Sequence, residues 1–293
     1  MAVATTEVVV EGGRTLAVYE AGDPAGAPLL FHHGTPSIGM PYGPHVRLAE
    51  EQGIRLVSYD RAGYGASSRD PGRDVAAVAH DAAAVMDALG IDRFATWGFS
   101  GGGPHALACA ALLPDRVAAV ASVAGVGPYG VEGLDWLDGM GAANLQEFGA
   151  ALAGEAALRP ALEAEAAAGR TGAAELAAAL RTLLSAPDAA ALDDGVGEYL
   201  LSGFTRGLAG GVDGWLDDDL AFTRPWGFEP AEIGPPVLVV QGRQDLMVPS
   251  GHGSWLASRV PGAEAWFSDE EGHLTLLQES SARKIHAWLL ERL

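Results

Sequence analysis

The sequence holds a single cysteine, Cys109, and a single lysine, Lys284. One thiol excludes an internal disulfide framework and a cysteine-based metal site, and it fits a reducing, cytoplasmic setting. Positive charge is scarce as a whole. Eighteen lysines and arginines face 38 aspartates and glutamates, a formal net charge of −20 over 293 residues. Nucleic acids and anionic membrane surfaces are recognised through a basic footprint, so neither is expected as a partner. No apolar run reaches the length of about 18 residues that marks a membrane-spanning helix. The first residues lack the basic flank and apolar core of a signal peptide, so none is expected. No glycine-rich loop ends in Lys-Ser or Lys-Thr, which removes the phosphate-cradling loop of nucleotide hydrolases. What is plentiful is apolar: 48% of residues, against 19% charged. That is a globular composition, long enough for one large domain or a domain with a substantial insertion.

Three stretches differ in character. In residues 1–128, short β-like runs alternate with helical ones. A hairpin is expected over 6–10 and 14–20, turning at Gly12-Gly13. Apolar strands follow at 28–32, 55–59, 94–98 and 117–123, separated by helices at 44–52, 75–89 and 103–113. The second of these helices carries apolar residues at 75, 78, 82, 85, 86 and 89, near the helical period. Strands that are apolar on both sides and separated by helices indicate a parallel sheet covered on both faces. Residues 233–293 return to this rhythm, with strands at 236–241 and 264–267 and helices at 253–259 and 280–290.

The middle block, 129–232, is different. It is rich in Ala, Leu, Asp and Glu, and helices are expected at 143–154, 159–169, 173–184 and 188–201. Pro160 suits the first turn of the second. Eighteen acidic against five basic residues give the block a net charge of −13. It is either a solvated insertion or a lid over a site, because it lies between two sheet-forming segments.

Gly98-Phe99-Ser100-Gly101-Gly102 follows a strand and precedes a helix, the context of a nucleophile elbow. The glycines let strand and helix backbones approach, and the bend lifts the Ser100 hydroxyl above the sheet. The amide of Gly101 then lies at a helix N-terminus, where a developing oxyanion is stabilised. A serine needs a base and the base an orienting acid. Asp245 follows one late strand and His273 the next, where α/β sheets gather site residues. Asp217, Asp218 and Asp219 are substitute acids in sequence terms, and Asp269 and Glu270 lie beside His273 as loop charges. The second oxyanion donor is expected after strand 28–32. There Thr35 is the candidate backbone donor and its hydroxyl a candidate supplement, whereas Pro36 has no N–H. His32 and His33 point to opposite sides of an extended chain, so they read as braces of the loop, with His33 also a pocket candidate. Further pocket candidates are Phe99, Trp136 and Trp215, with Trp226 and Phe228 in or beside the same block. His105 is either a pocket residue or a packed one, and Cys109 a small buried hydrophobe. Asp60 and Arg61 are expected to make buried hydrogen bonds in a structural turn. No metal or organic cofactor is called for.

These motifs together resemble the α/β-hydrolases that carry a helical cap, and the resemblance covers essentially the whole chain. It rests on residues 32–36 as the oxyanion loop, 60–65 with Ser67 as a turn, and 98–102 as the elbow. Residues 242–245 with Val248-Pro249 match the acid loop and Gly272-His273 the histidine loop. The resemblance implies an α/β fold with a mostly parallel central sheet flanked by helices. Residues 1–128 and 233–293 would be the core and 129–232 a cap inserted after the sixth strand. It implies a Ser100–Asp245–His273 triad with Thr35 and Gly101 as oxyanion donors. The implied activity is hydrolysis of carboxylic esters of small, neutral, largely apolar substrates, by a monomer or homodimer. Epoxide hydrolases and haloalkane dehalogenases of this group use aspartate where Ser100 stands. Proline iminopeptidases usually carry His-Gly-Gly-Pro-Gly before the first crossover and Trp after the serine, which this chain lacks. A proline-iminopeptidase-like amidase, a cofactor-free haloperoxidase or perhydrolase, a C–C bond hydrolase and a non-catalytic ligand receptor are the alternatives it leaves.

Overall fold

The computed structural model describes residues 3–169, 178 and 180–293. Eight strands form one sheet: β1 (Ala4–Val9), β2 (Thr15–Gly22), β3 (Ala27–His32), β4 (Ile54–Tyr59), β5 (Phe94–Phe99), β6 (Val117–Val123), β7 (Val237–Gly242) and β8 (Glu264–Ser268). Their spatial order is β1-β2-β4-β3-β5-β6-β7-β8. β2 pairs antiparallel with β1 and β4, and the other pairs are parallel. Gly12 and Gly13 turn the first hairpin, both at φ 76°, a conformation open mainly to residues without a Cβ.

The described helices are α1 (Gly43–Gln52), α2 (Val78–Ala88), α3 (Gly102–Leu112), α4 (Ala142–Ala153), α5 (Glu155–Gly169), α6 (Ala186–Ala191), α7 (Gly197–Gly207), α8 (Asp213–Phe222), α9 (Ser250–Arg259) and α10 (Glu279–Leu290). None of them is long and apolar enough to cross a membrane. Every residue of β5, β6 and β7 is buried, as expected of strands covered on both faces. Alternation along the strands divides the core. Leu30, Val57, Phe94 and Val120 pack with α2 and α3 on one side. Leu29, Phe31, Leu56 and Trp97 pack with α1 and α10 on the other.

α2 starts at Val78, later than the apolar period suggests. Residues 75–77 form a capped, tightened turn. Asp74 Oδ1 accepts from the Ala77 amide at 2.9 Å, and Ala79 and His80 donate three residues back, at 3.0 and 3.2 Å. Between β6 and β7 the chain leaves the sheet and builds α4 to α8. Here the sequence reading needs three adjustments. α5 begins at Glu155, so Pro160 lies in its second turn. Arg159 holds that early start in place by bridging Glu155 and Asp213 at 2.9 and 2.8 Å. The helix expected at 188–201 is broken by a widened turn over Leu192–Val196, where Gly195 has φ 90°. α8 falls where no helix was expected, and Gly214 to Phe222 are all buried in it. The helix expected at 173–184 falls largely outside the described residues.

Candidate active site

Ser100 occupies the bend between β5 and α3 at φ 55°. A non-glycine residue pays for this left-handed conformation and keeps it only where the surroundings enforce it. Here the Ser100 amide donates to Val123 O at 2.8 Å and its carbonyl accepts from Gly103 at 2.9 Å. A Cβ on Gly98 would run into the Gly102 backbone and come within 2.8 Å of the Gly103 nitrogen. The bend therefore requires glycine at that position.

His273 comes from the loop after β8. Its Nδ1 donates to Asp245 Oδ2 at 2.7 Å, with both side chains buried. That bond fixes the tautomer and leaves the Nε2 lone pair for other work. Asp245 is itself held from three sides. Oδ1 accepts the amides of Met247 and Val248, both at 2.8 Å. Oδ2 also accepts from Gln241 Nε2 at 3.1 Å. Burial works to lower the His273 pKa, but the charge and hydrogen bond of Asp245 and the charge of Asp188 outweigh it, so the net shift is upward. The side chains of Ser100 and His273 line one cavity and make no hydrogen bond to each other. Such bonds commonly tighten only when the reacting group arrives.

Asp188, on α6 in the middle block, was not anticipated. It is fully buried and binds the backbone of the histidine loop. Oδ1 accepts from the amides of Leu274 at 2.7 Å and Thr275 at 3.3 Å. Oδ2 accepts from the His273 amide at 3.0 Å and from Ser185 Oγ at 2.7 Å. The fragment Ser-x-x-Asp at 185–188 was visible in the sequence, but it reads there only as a local helix start.

Thr35 and Gly101 line the cavity that Ser100 lines, and the amide of neither donates to another protein group among the described residues. The Thr35 hydroxyl is not a spare donor as expected: it donates to Asp218 Oδ2 at 2.6 Å. Asp218 is the hub of a buried network. Arg61 and Arg73 each bind it at 2.6 Å, and Tyr64 Oη donates to it at 2.9 Å. Burial alone would raise the Asp218 pKa, but the two guanidiniums hold it well below the ordinary carboxylate range. His105 faces the same carboxylate at 3.3 Å, and burial with the Arg61 charge brings its pKa down to about 4, so it is packed and neutral. His33 is not in the cavity. Its Nδ1 donates to Gly34 O at 2.8 Å and its Nε2 accepts from the Arg61 amide at 3.1 Å. It braces the loop after β3 because both ring nitrogens are taken up by backbone. His32 turns the other way, its Nε2 3.6 Å from Cys109 Sγ.

The cavity leaves about 150 Å³ open to the centre of a water-sized sphere. Phe99 and Trp215 line it, but Trp136 does not. Trp136 is buried below α4, where its Nε1 donates to Gly127 O at 2.6 Å and its ring meets Phe148 and His252 edge-on. The carboxyl groups of residues 217–219 do not approach His273. Asp217 pairs with Arg69 at 2.8 Å, Asp218 holds its network, and Asp219 lines the cavity with Glu147 and Glu165. Asp269 pairs with Arg243 at 3.0 Å on the surface. Among the described residues no group of three or more His, Cys, Asp or Glu is arranged to hold a metal ion. A strained hydroxyl, an imidazole tied to a carboxylate and two unpaired amides around one cavity are suited to acyl transfer.

The sequence matches the alpha/beta hydrolase fold family over residues 27–280. It is 32% identical to a non-heme chloroperoxidase of Streptomyces lividans over 148 residues, 50% of this chain and 54% of that one. It is 29% identical to epoxide hydrolase A of Mycobacterium tuberculosis over 124 residues, 41% of this chain and 38% of that one. The chain thus spans about half the length, or less, of these curated relatives. The solved enol-lactonase of Burkholderia xenovorans LB400 superposes with a TM-score of 0.70 at 21% identity, covering 98% of this chain and 100% of that one. On the strength of a family match that runs over most of its length, the chain belongs to the alpha/beta hydrolase fold family.

Proposed function

We propose that the protein is a serine hydrolase that cleaves carboxylic esters with small, largely apolar bodies through an acyl-enzyme on Ser100. The observation that carries this reading is the buried 2.7 Å bond from His273 Nδ1 to Asp245, with Ser100 on the same cavity. In this mechanism His273 Nε2 takes the Ser100 proton as the hydroxyl attacks the ester carbonyl. The oxyanion settles between the amides of Thr35 and Gly101. Collapse expels the alcohol, which leaves with the proton from His273. Water, deprotonated by the same imidazole, then attacks the acyl-enzyme and releases the acid. The expected cap, 129–232, supplies apolar wall through Phe148, Leu200, Phe204, Trp215 and Phe222. Anionic substrates are disfavoured by Glu147, Glu165 and Asp219 in the same wall.

The test is covalent labelling with a fluorophosphonate, run beside p-nitrophenyl esters of increasing chain length. The wild type should label once per chain and hydrolyse the esters, and Ser100→Ala should do neither. Equal labelling of both proteins refutes the proposal. The match to a non-heme chloroperoxidase favours a second outcome for the same acyl-enzyme. Hydrogen peroxide would replace water as the attacking group, breaking the acyl–serine bond to give a peracid and returning a proton to Ser100. A peracid assay with acetate ester and peroxide decides it.

A further inference from the structure

Asp218 and Asp219 are neighbours on α8 and both fully buried. Asp218 has two guanidiniums. Asp219 has none: no N–H or hydroxyl outside the acids reaches its oxygens, and its hydrogen-bond partner is the Glu147 carboxyl. It lines the cavity that holds Ser100, with Glu147 from α4 and Glu165 from α5. Glu147 in turn accepts from Trp215 Nε1 at 2.7 Å. No arginine, lysine or histidine among the described residues pairs with any of these three acids. Burial, together with the Glu165 charge, lifts the Glu147 pKa to about 7. Burial and the Glu147 carboxyl push Asp219 well above the ordinary carboxylate range.

Buried carboxylates that lack a cation are costly and are retained where something neutralises them. A proton does so in part, as the upward shifts record. A cation that enters the cavity would do so fully. The three groups are not arranged as ligands for one metal ion. An organic ammonium asks less of geometry: it offers several N–H donors on a compact charge. The remaining wall is mostly aromatic and aliphatic, so the rest of such a molecule would be apolar.

We propose that Asp219, with Glu147 and Glu165, forms a subsite for the protonated amine of the substrate, so that Ser100 acts on amine-bearing esters in preference to neutral ones. This rests on the hydrolase reading above and names the substrate class of that same site. The neutral ester expected from the sequence becomes the comparison substrate.

The experiment pairs each p-nitrophenyl alkanoate with its ω-amino counterpart, over chains of two to six carbons, and measures kcat/KM below pH 8. For the best-fitting length the amino ester should exceed its neutral isostere by about tenfold or more. Asp219→Asn and Glu147→Gln should each reduce that ratio several-fold. Because either variant could fold poorly, the wild type is also assayed with an acetate ester in the presence of alkylammonium ions or the matching alcohols. The ammonium ions should be the stronger competitive inhibitors. Neutral esters preferred at every chain length, with alcohols inhibiting as well as ammonium ions, would overturn the subsite and leave the hydrolase intact. Failure of Ser100 to label and of every ester to react would instead overturn the hydrolase reading.

Discussion

Removal of Asp188 tests whether the middle block is part of the site or only covers it. In Asp188→Ala the amides of His273, Leu274 and Thr275 lose their acceptor in a buried place, as does the Ser185 hydroxyl. A buried donor left unpaired costs about 1–3 kcal/mol. The Thr275 bond is long at 3.3 Å and counts for little. Two well-made backbone bonds then set a loss of about 2–6 kcal/mol, and local relaxation places the expectation near about 3 kcal/mol. Urea unfolding measures it. The second effect is on His273, which in the proposed mechanism works as a base only when neutral. Its pKa is raised, so activity should be lost on acidification through a midpoint above the ordinary histidine value of about 6.5. Asp188 contributes to that rise. Asp188→Asn keeps the side-chain shape and drops the charge, so the acid limb of kcat/KM should move to lower pH while kcat falls. A loop displaced by about 1 Å can cost 10²-fold. An unchanged urea midpoint in Asp188→Ala, together with an unmoved acid limb in Asp188→Asn, would refute the claim that α6 positions the histidine loop.

Two further outcomes follow from the carboxylates. Asp245→Asn should lower kcat by roughly 10³–10⁴, as in serine proteases where the orienting acid is neutralised, because the imidazole loses its tautomer and the partner of its charged form; a fall smaller than that of Asp217→Asn would place the acid elsewhere. Asp218→Asn should destabilise the fold by about 3–5 kcal/mol in urea, since it leaves Arg61 and Arg73 buried without a full counter-charge. Asp217→Asn, whose partner Arg69 is 29% exposed and can turn toward water, should cost less than Asp218→Asn.

The sheet was legible because its signals are local. Strands at 28–32, 55–59, 94–98 and 117–123 are continuous apolar runs closed by turn residues, and each falls on β3, β4, β5 or β6 with no end shifted by more than one residue. The middle block was less legible, because alanine-rich sequence favours helix at many registers. Gly195 breaks one expected helix at a residue that composition alone passes over. Pro160 was placed in a first turn by preference, whereas the Arg159 bridge to Asp213, 54 positions away, helps start the helix earlier. Trp136 shows the same limit for the cavity. Its indole is claimed by the Gly127 carbonyl and by Phe148, and nothing in the sequence distinguishes it from Trp215, which does face the cavity.

The three consecutive aspartates show why site residues divide into readable and unreadable ones. Ser100, Asp245 and His273 are readable because each follows a strand, and the sheet fixes where strand ends go. Residues 217–219 sit on a helix, where each step turns about 100°. Identical side chains therefore leave α8 in three directions. Asp217 meets Arg69, 148 positions away, and Asp218 meets Arg61, 157 positions away. Asp219 meets the Ser100 cavity and Glu147. One of the three supports a salt bridge, one holds the loop after β3 through Thr35, and one lines the cavity beside Glu147 with its pKa raised by burial. Their charge was visible as part of the block's −13, which left a solvated insertion and a lid over a site both open. All three are buried, so the charge acts within the protein, and its direction depends on partners that only the fold brings near.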